Sequence, residues 1–188
     1  MNVYDFDRTI FFPDSSTCFV LYCLRHYPRA VLPALPGAAF LGLKRMASLA
    51  DTRELKQQVF SFLSSLDNVD EIVKQFWEEK RGQIADWYLE QRRPDDLIIS
   101  ASPAFLLGPI AEELGVRLIA TRMDKYTGRI LGDNCHDAAK VCRFLKEYPN
   151  ESVDVFYSDS LSDSPMAWFA GQAWLVKNEH ERVPWPEH

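Results

Sequence analysis

Basic residues and paired cysteines are scarce in this sequence, and each scarcity excludes a class of protein. The 21 Lys and Arg residues are outnumbered by 27 Asp and Glu residues, which gives a net charge of −6. Nucleic-acid-binding proteins carry a basic footprint, so no nucleic-acid partner is expected. The four cysteines form no CxxC or other paired metal spacing. Free thiols in a reducing compartment are therefore the default interpretation.

Long hydrophobic runs are also absent. A secretory signal peptide would place its apolar region where Asp5 and Asp7 lie. The uncharged stretch at residues 30–43 is too short for a transmembrane helix, which needs about 20 apolar residues. The sequence therefore predicts a cytoplasmic protein with no transmembrane segment. It gives no indication of the oligomeric state.

The first nine residues contain the most informative motif. They read as a short buried strand that leads into Asp5 and Asp7, whose side chains would share a face if the strand continued. Two like charges this close are costly unless a cation lies between them or one carboxyl keeps its proton. The motif indicates a metal site or a nucleophile beside a general acid. An acidic turn after an edge strand is the simpler alternative.

A second acidic cluster follows a strand-like run at residues 152–157 and contains Asp159 and Asp163. Taken alone, helix N-capping explains the Asp and Ser residues there. Taken with Asp5 and Asp7, the cluster marks the carboxyl end of a second strand, where ligands bind in open α/β sheets. Four carboxylates at such an edge predict a hard divalent cation, Mg²⁺.

Two further candidates lie between the acidic clusters. An apolar strand ends at Ser100 and is followed by a predicted helix from Pro103. A hydroxyl and free amides at a helix start would bind phosphate oxygens, although for this segment alone an N-cap serine is the favoured explanation. Lys140 lies about one turn into another predicted helix, where a lone lysine is usually solvated.

The order of these motifs resembles that of the haloacid dehalogenase (HAD) superfamily, in particular its phosphoserine-phosphatase-like branch, subfamily IB. The matching positions, in chain order, are Asp5-Phe6-Asp7-Arg8-Thr9, Ser100, Lys140, and Asp159 with Asp163. The resemblance extends from residue 1 to about residue 177. It implies a Mg²⁺-dependent phosphatase that hydrolyses a phosphate monoester through an aspartyl-phosphate on Asp5. Asp7 would be the general acid and base.

The resemblance also assigns the other site residues. It implies that Asp5, Asp7 through its backbone carbonyl, and Asp159 hold the metal. Ser100, the Ala101 amide and Lys140 would bind the transferring phosphate. Thr9, Ser162 and Asp163 would support these groups, with Asp163 orienting Lys140 or a metal-bound water. Arg8 stands where many members have Gly and is a possible substrate contact.

The predicted fold is α/β, a doubly wound parallel sheet in a Rossmann-like core with an inserted helical cap. Residues 1–14 and 91–188 are assigned to the core, and residues 15–90 to the cap. The region assigned to the cap shows helical spacing without alternating strand patterns, and helices are predicted over residues 17–27, 52–66 and 69–89. From about residue 94 strands and helices alternate, with strands predicted over residues 96–100, 116–121, 152–157 and 172–176. A small soluble phosphomonoester, similar to phosphoserine, is the favoured substrate.

Residues 30–43 leave two interpretations of the cap open. A buried hairpin of cap helices is favoured. The alternative is an interfacial element on an anionic membrane, flanked by Arg25, Arg29, Lys44 and Arg45. A bacterial HAD relative, phosphatidylglycerophosphatase C, is similar in its hydrophobic, proline-broken cap, which keeps a phospholipid head group as the alternative substrate. A non-catalytic receiver-like or phospho-binding domain is a remote alternative.

Overall fold

The computed structural model describes residues 1–46 and 51–186. The strands of this part of the chain are β1 (Asn2–Tyr4), β2 (Leu97–Pro103), β3 (Arg117–Thr121), β4 (Val155–Ser158), β5 (Gln172–Asn178) and β6 (Glu181–Pro184). They form one sheet in the order β3-β2-β1-β4-β5-β6. The strands from β3 to β5 in that order run parallel, and β6 is antiparallel to β5.

The α-helices of the described residues are α1 (Ser15–His26), α2 (Pro28–Val31), α3 (Leu35–Met46), α4 (Thr52–Val59), α5 (Val69–Lys80), α6 (Asp86–Gln91), α7 (Ala104–Leu114), α8 (Ala138–Glu147) and α9 (Ser164–Phe169). Short 3-10 turns connect some of them, including Leu161–Asp163 after β4. Helices α1 to α6 follow one another between β1 and β2. The assignment of residues 15–90 to a separate cap remains a prediction.

The chain order places the functional motifs together because β1 lies between β2 and β4. Val3 pairs with Leu97 on one side and with Phe156 on the other. Strands β2 and β3, which follow β1 in the chain, therefore lie on one side of β1, and the later strands β4 to β6 lie on the other side. Such a reversal of strand order leaves a crevice at the carboxyl ends of the strands, where α/β proteins bind ligands. Asp5 directly follows β1 at this crevice.

Both faces of the sheet are buried, as expected for parallel strands covered by helices. Tyr4 lies in a large cluster on the face covered by α1, α5 and α7, with aromatic residues of the region between β1 and β2 such as Phe19, Phe76 and Trp77. Val3 points to the other face and packs with residues of α8 and α9. The fold class predicted from the sequence is confirmed.

Three local predictions differ from the structure. The helix expected over residues 69–89 is interrupted because Ala85 donates a backbone hydrogen bond to the carbonyl of Ile10, with 2.8 Å between N and O. Ile84 forms an antiparallel bridge with Phe11 at the same place. The helix expected over residues 52–66 changes to a 3-10 turn after Val59. The edge strand β6 was not predicted, because Arg182, Val183 and Pro184 carry a weak strand pattern.

The structure also corrects the interpretation favoured for residues 30–43. Val31 and Ala34 are buried, but none of the residues of α3, all of which are described, is buried. The expectation of a buried hairpin is therefore wrong for α3. Within residues 1–46 and 51–186, no helix is long and apolar enough to cross a membrane.

Candidate active site

Asp5 lies at the crevice because the backbone of β1 continues its pairing for one residue. The Asp5 amide donates to the carbonyl of Tyr157 at the end of β4, with 2.8 Å between N and O. Only 8% of Asp5 is exposed. Its Oδ1 atom accepts a hydrogen bond from Lys140 Nζ at 2.6 Å. A buried carboxylate is thus held between two strand ends, with one oxygen paired to a cation.

Lys140 joins the two acidic clusters. It extends from the first turn of α8 and is buried. Its Nζ atom also donates to Asp163 Oδ2 at 2.7 Å, and the Ser158 hydroxyl donates to that same oxygen at 2.7 Å. The ammonium therefore bridges the first and the last acidic motif. The sequence alone shows the order of these motifs along the chain but not the contacts of Lys140 with both of them.

The charges of Lys140, Asp5 and Asp163 affect the pKa values of Lys140 and Asp5. Burial lowers the pKa of Lys140, but the carboxylates of Asp5 and Asp163 outweigh that effect and raise it overall. Lys140 therefore stays protonated at neutral pH. Burial raises the pKa of Asp5 to about 7, while Lys140 opposes the rise and Asp163 adds to it. The ammonium keeps Asp5 ionisable in a site that would otherwise favour the neutral acid.

The Asp7 side chain has different hydrogen-bond partners from Asp5 and is positioned by a different part of the backbone. Strand β1 ends at Tyr4, and the amides of three residues that follow Asp7 turn back to the carbonyl of Phe6. Asp7 accepts hydrogen bonds from the Ser15 amide at 2.6 Å and from the Ser102 hydroxyl at 2.5 Å. The alternation of a continuing strand therefore does not position this pair. A tight turn does.

Burial raises the pKa of Asp7, and its hydrogen bonds with Ser102 and Ser15 oppose that rise. The negative charge of Asp7 in turn contributes to the raised pKa of Asp5. The two carboxyls are thus close enough to interact, yet each has its own partners. The different partners, a cation for Asp5 and neutral donors for Asp7, suit the two carboxyls to two different roles.

Arg8 occupies the turn with a left-handed backbone, at φ 57°. Glycine adopts this conformation at the lowest cost, so Arg8 occupies a backbone position that is strained for a residue with a side chain. The Arg8 side chain is exposed. Its charge opposes the rise that burial causes in the pKa of Asp159. A contact between Arg8 and the substrate phosphate remains a prediction.

The end of β2 supplies the phosphate-binding candidates. Ser100 is buried, and its Oγ atom accepts a hydrogen bond from the Ser102 amide at 3.1 Å. The pairing of β2 with β3 shifts register after Ser100, so the chain bends there. Ala101 lies at this bend. Sequence reasoning missed Ser102, which links the second motif to Asp7, although it lies only two residues beyond the predicted serine.

The remaining predicted residues lie at the end of β4. The Asp159 amide donates to the Thr9 hydroxyl at 3.0 Å, which ties the loop after β4 to the first motif. Asp159 itself is half-buried. Ser162 is exposed, and its hydroxyl is 2.9 Å from that of Ser160. The structure thus brings Thr9 and Asp163 into the site, while the described contacts of Ser162 lie outside it.

The region between β1 and β2 contributes a cation that the sequence did not indicate. Lys56 of α4 donates from Nζ to the carbonyl of Ala101 at 2.5 Å. Burial lowers the pKa of Lys56, and the charges of Asp7 and Asp14 oppose that change. In the sequence, Lys56 is indistinguishable from a lysine on the exposed face of a helix.

Lys56 also lines a cavity of about 430 Å³ beside Asp7 and Ser102. Much of its wall is apolar and comes from Val20, Leu55 and Val59. A group attached to a phosphate at Asp5 and Asp7 would have room there. This cavity is the candidate site for the leaving group of a substrate.

The donor set at the crevice fits Mg²⁺. Among the described residues, no group of three or more His, Cys, Asp or Glu side chains is arranged to hold a metal ion by itself. Mg²⁺ seldom uses such a cage, because it binds one or two carboxylates and keeps several waters. Burial raises the pKa of both Asp5 and Asp159, so a cation beside them would favour their ionised forms.

Comparisons with known proteins concern the family and the fold of this chain. The model of the haloacid dehalogenase-like hydrolase family matches residues 3–167. A protein of unknown function from Bordetella pertussis Tohama I has a similar structure, with a TM-score of 0.78 and 22% identity, covering 92% of this chain and 87% of that one. No match is found among curated proteins.

Two other similar structures are of proteins whose names state an activity. One is a phosphoserine phosphohydrolase-like protein from Francisella tularensis subsp. tularensis SCHU S4, with a TM-score of 0.59, 17% identity and coverage of 92% of this chain and 86% of that one. The other is a probable phosphoserine phosphatase from Vibrio cholerae, with a TM-score of 0.64, 18% identity and coverage of 91% and 54%. At these identities the similarity shows the fold alone.

Proposed function

We propose that this chain, which belongs to the haloacid dehalogenase-like hydrolase family, hydrolyses phosphate monoesters with Asp5 as the nucleophile. Membership in the family confirms the prediction made from the order of the motifs. The observation that carries the proposal is the pair formed by Asp5 and Asp7. Asp5 is paired with the Lys140 ammonium at 2.6 Å, whereas Asp7 is bound to two neutral donors, the Ser15 amide and the Ser102 hydroxyl. Halide release needs no acid, so this second carboxyl supports phosphoryl transfer.

In the first step, a carboxylate oxygen of Asp5 attacks the phosphorus atom. The bond between phosphorus and the ester oxygen breaks, and the leaving oxygen takes the proton of Asp7. Asp5 becomes an aspartyl-phosphate, and Asp7 becomes a carboxylate. The raised pKa of Asp7 supports this role, since a general acid must still hold its proton near the working pH.

In the second step, Asp7 removes a proton from a water molecule that attacks the same phosphorus atom. The bond between phosphorus and Asp5 breaks, inorganic phosphate forms, and the Asp5 carboxylate is restored. Ser15 and Ser102 hold the two oxygens of Asp7 in place. A fixed orientation matters because one group must serve two oxygen atoms in turn.

Several residues of this chain are proposed to stabilise the negative charge of the phosphoryl group during its transfer. Ser100, the Ala101 amide and Lys140 are proposed to bind its oxygens, where charge spreads in the transition state. Asp5, the backbone carbonyl of Asp7 and Asp159 would hold Mg²⁺. When bound, the ion supplies positive charge that reduces the repulsion between the nucleophile and the phosphate.

A small soluble phosphomonoester is the leading substrate class. Asp14 and Lys56 line the cavity beside Asp7, and their opposite charges would suit a small charged leaving group such as that of phosphoserine. The free cysteines support a cytoplasmic location for such an enzyme. A lipid phosphate is the second candidate, favoured by the apolar wall of Val20, Leu55 and Val59.

A phosphatase screen over small and lipid phosphomonoesters tests the proposal. It is run with Mg²⁺, with excess chelator, and with or without detergent, on the parent and on Asp5→Asn. We expect turnover that needs Mg²⁺ and is absent from Asp5→Asn. Phosphate binding without turnover by the parent would instead favour a receiver-like or phospho-binding domain. Full activity in excess chelator would contradict the proposed metal dependence.

A further inference from the structure

One region of this acidic protein has the opposite charge. All 27 acidic residues lie outside residues 15–50, whereas Arg25, Arg29, Lys44 and Arg45 lie within that stretch. The structure leaves these four cations exposed. All formal charges within this stretch are therefore positive, on a protein whose net charge is −6. Arg25 lines a cavity together with Glu79 of α5, so Arg29, Lys44 and Arg45 carry the argument.

The same region exposes large apolar side chains. Phe40, Leu43 and Met46 of α3 are 58%, 68% and 86% exposed. Leu32, just before α3, and Leu21 of α1 are 54% and 58% exposed. A surface helix of a globular protein normally turns polar residues outward. Helix α3 instead turns an apolar face outward, and contiguous apolar surface of this kind marks an interaction site.

The packing of α3 does not need this outer face. On its inner side α3 lies directly against α4, where a side-chain carbon at Gly37 would come within 2.5 Å of Gln58 Nε2. Gly37, Ala38, Leu41 and Gly42 are the half-buried positions of the helix. Three of these four inner positions are Gly or Ala, and Phe40, Leu43 and Met46 are left on the opposite side.

We propose that α3 docks onto the surface of an anionic lipid bilayer. Phe40 and Leu43 would enter the boundary between head groups and acyl chains, and the flanking cations would meet the anionic head groups. Lys44 Nζ already lies 4.8 Å from the centre of the Phe40 ring, so charge and apolar surface occur side by side. An interfacial helix combines these two features.

Charge favours a bilayer over a second copy of this chain. Two copies that met through α3 would bring Arg29, Lys44 and Arg45 of each molecule towards the same residues of the other. Like charges placed together are destabilising. An anionic bilayer removes this repulsion and accepts the apolar side chains at the same time.

Docking through α3 would also bring the candidate leaving-group cavity towards lipid. Helix α4 lies between α3 and the cavity, and its residues Leu55, Lys56 and Val59 form part of the cavity wall. This consequence rests on the proposed phosphatase function. The docking itself does not, and vesicle binding tests it without any turnover.

The test is co-sedimentation of the intact protein with vesicles of phosphatidylglycerol and phosphatidylcholine, compared with vesicles of phosphatidylcholine alone. We expect binding to the anionic vesicles at low salt and release at high salt, because salt screens this attraction. Asp5→Asn should bind as well as the parent. A parent that stays in the supernatant with anionic vesicles at low salt would overturn the proposal.

Two variants assign the binding to α3. Leu43→Glu should lower the bound fraction at least about tenfold, and Arg29→Gln combined with Lys44→Gln at least about fivefold. Matched controls outside the region are Leu145→Glu, at a leucine that is 44% exposed, and Lys74→Gln combined with Lys177→Gln. The controls should bind like the parent. Equal losses in test and control variants would overturn the assignment.

Hydrolysis of a small aryl phosphate provides the control for folding and for the proposed function. Leu43→Glu should keep the parent rate, since Leu43 is exposed. Analytical ultracentrifugation without vesicles identifies a competing occupant. If the parent forms a dimer that Leu43→Glu dissociates, and the parent does not bind vesicles, the face is an interface between copies and the bilayer proposal is wrong.

Discussion

The carboxyl end of the sheet buries charged side chains, whereas helix α3 exposes apolar ones. At the sheet, the ammonium of Lys140 is buried between Asp5 and Asp163, two carboxylates at 2.6 and 2.7 Å. At α3, apolar side chains are exposed and the cations around them are solvated. Each region violates the usual distribution of residues, and such violations concentrate at functional sites.

The two regions also differ in how tightly the fold constrains them. Each oxygen of Asp7 has a named hydrogen-bond donor, and Lys140 contacts carboxylates from two motifs. A buried ion cluster of this kind loses stability when one member is removed. The outer face of α3 has no such constraint, so substitution there should affect binding and leave folding unchanged. The following predictions test this contrast, from the largest expected effect to the smallest.

Asp5→Asn should give the largest effect, a loss of turnover of at least about a thousandfold. A carboxamide cannot replace the carboxylate as nucleophile, although its oxygen can still accept the hydrogen bond from Lys140. Steady-state rates on an aryl phosphate measure the loss, and circular dichroism checks the fold. A folded Asp5→Asn protein that turns over like the parent would contradict the mechanism.

Asp7→Asn should slow hydrolysis of an alkyl phosphate by about 10²- to 10⁴-fold. The loss should be smaller for an aryl phosphate, because a leaving group of low pKa needs little protonation. The parent requires protonated Asp7, so its activity should decline as pH rises through the raised pKa of that group. The variant should lack this alkaline decline. Equal losses on both substrates would show that Asp7 is not the acid of the first step.

Lys140→Met should lower the free energy of unfolding by about 3–5 kcal/mol. It leaves Asp5 and Asp163 buried without their cation, and the folded pKa of Asp5, which burial raises and Lys140 lowers, should then lie further above the unfolded one. The folded variant then binds more protons than the unfolded chain above about pH 4, and its stability should fall as pH rises. Urea unfolding at several pH values measures both effects. Lys146→Met, at an exposed lysine of the same helix, is the matched control and should behave like the parent.

Lys56→Met should reduce kcat/KM for a small phosphomonoester with a charged leaving group by about tenfold. It removes the cation that lines the cavity but leaves Asp5 and Asp7 in place. The effect should be weaker for an alkyl phosphate without charge on the leaving group. Lys74→Met, at an exposed lysine of α5, serves as the control. A uniform loss on both substrates would assign Lys56 a structural role at Ala101 instead.

Leu43→Glu should change the free energy of unfolding least, by no more than about 0.5 kcal/mol. Leu63→Glu, at a fully buried leucine, should cost several times as much or prevent folding, because it buries a charge without a partner. Thermal and urea unfolding compare the two. A large destabilisation by Leu43→Glu would show that the outer face of α3 is packed, which would remove the contrast between the regions.

The sequence predicted which residues meet at the strand ends better than it predicted the packing of residues 15–90, for physical reasons. Asp5, Ser100 and Asp159 each follow a strand-like run, and parallel strands bring their carboxyl ends to one edge of the sheet. Lys140 was predicted only through the order of the motifs, since nothing local distinguishes it from a surface lysine. Ser15 and Lys56 were not predicted, because their contacts with Asp7 and Ala101 depend on how helices α1 and α4 pack against the ends of the strands.

The exposure of α3 could not be predicted from its pattern. Residues 30–43 are apolar on every side of the helix, so no polar face indicates which side meets water. Close contact through Gly37 decides which side faces α4, and that contact depends on tertiary structure. The interrupted helix near Ala85 has a similar cause, because pairing with the loop after β1 overrides local helical preference.

Direct detection of the phosphorylated residue tests the central claim, that Asp5 is the nucleophile of a phosphatase. The parent is mixed with an aryl phosphate and Mg²⁺, quenched in acid during turnover, and mapped by mass spectrometry of its peptides. We predict one phosphoryl group on Asp5, labile at alkaline pH as an acyl phosphate, and none in the Asp5→Asn protein. Release of phosphate with no phosphorylated peptide, or a phosphoryl group on Ser100 or Asp7, would contradict the account.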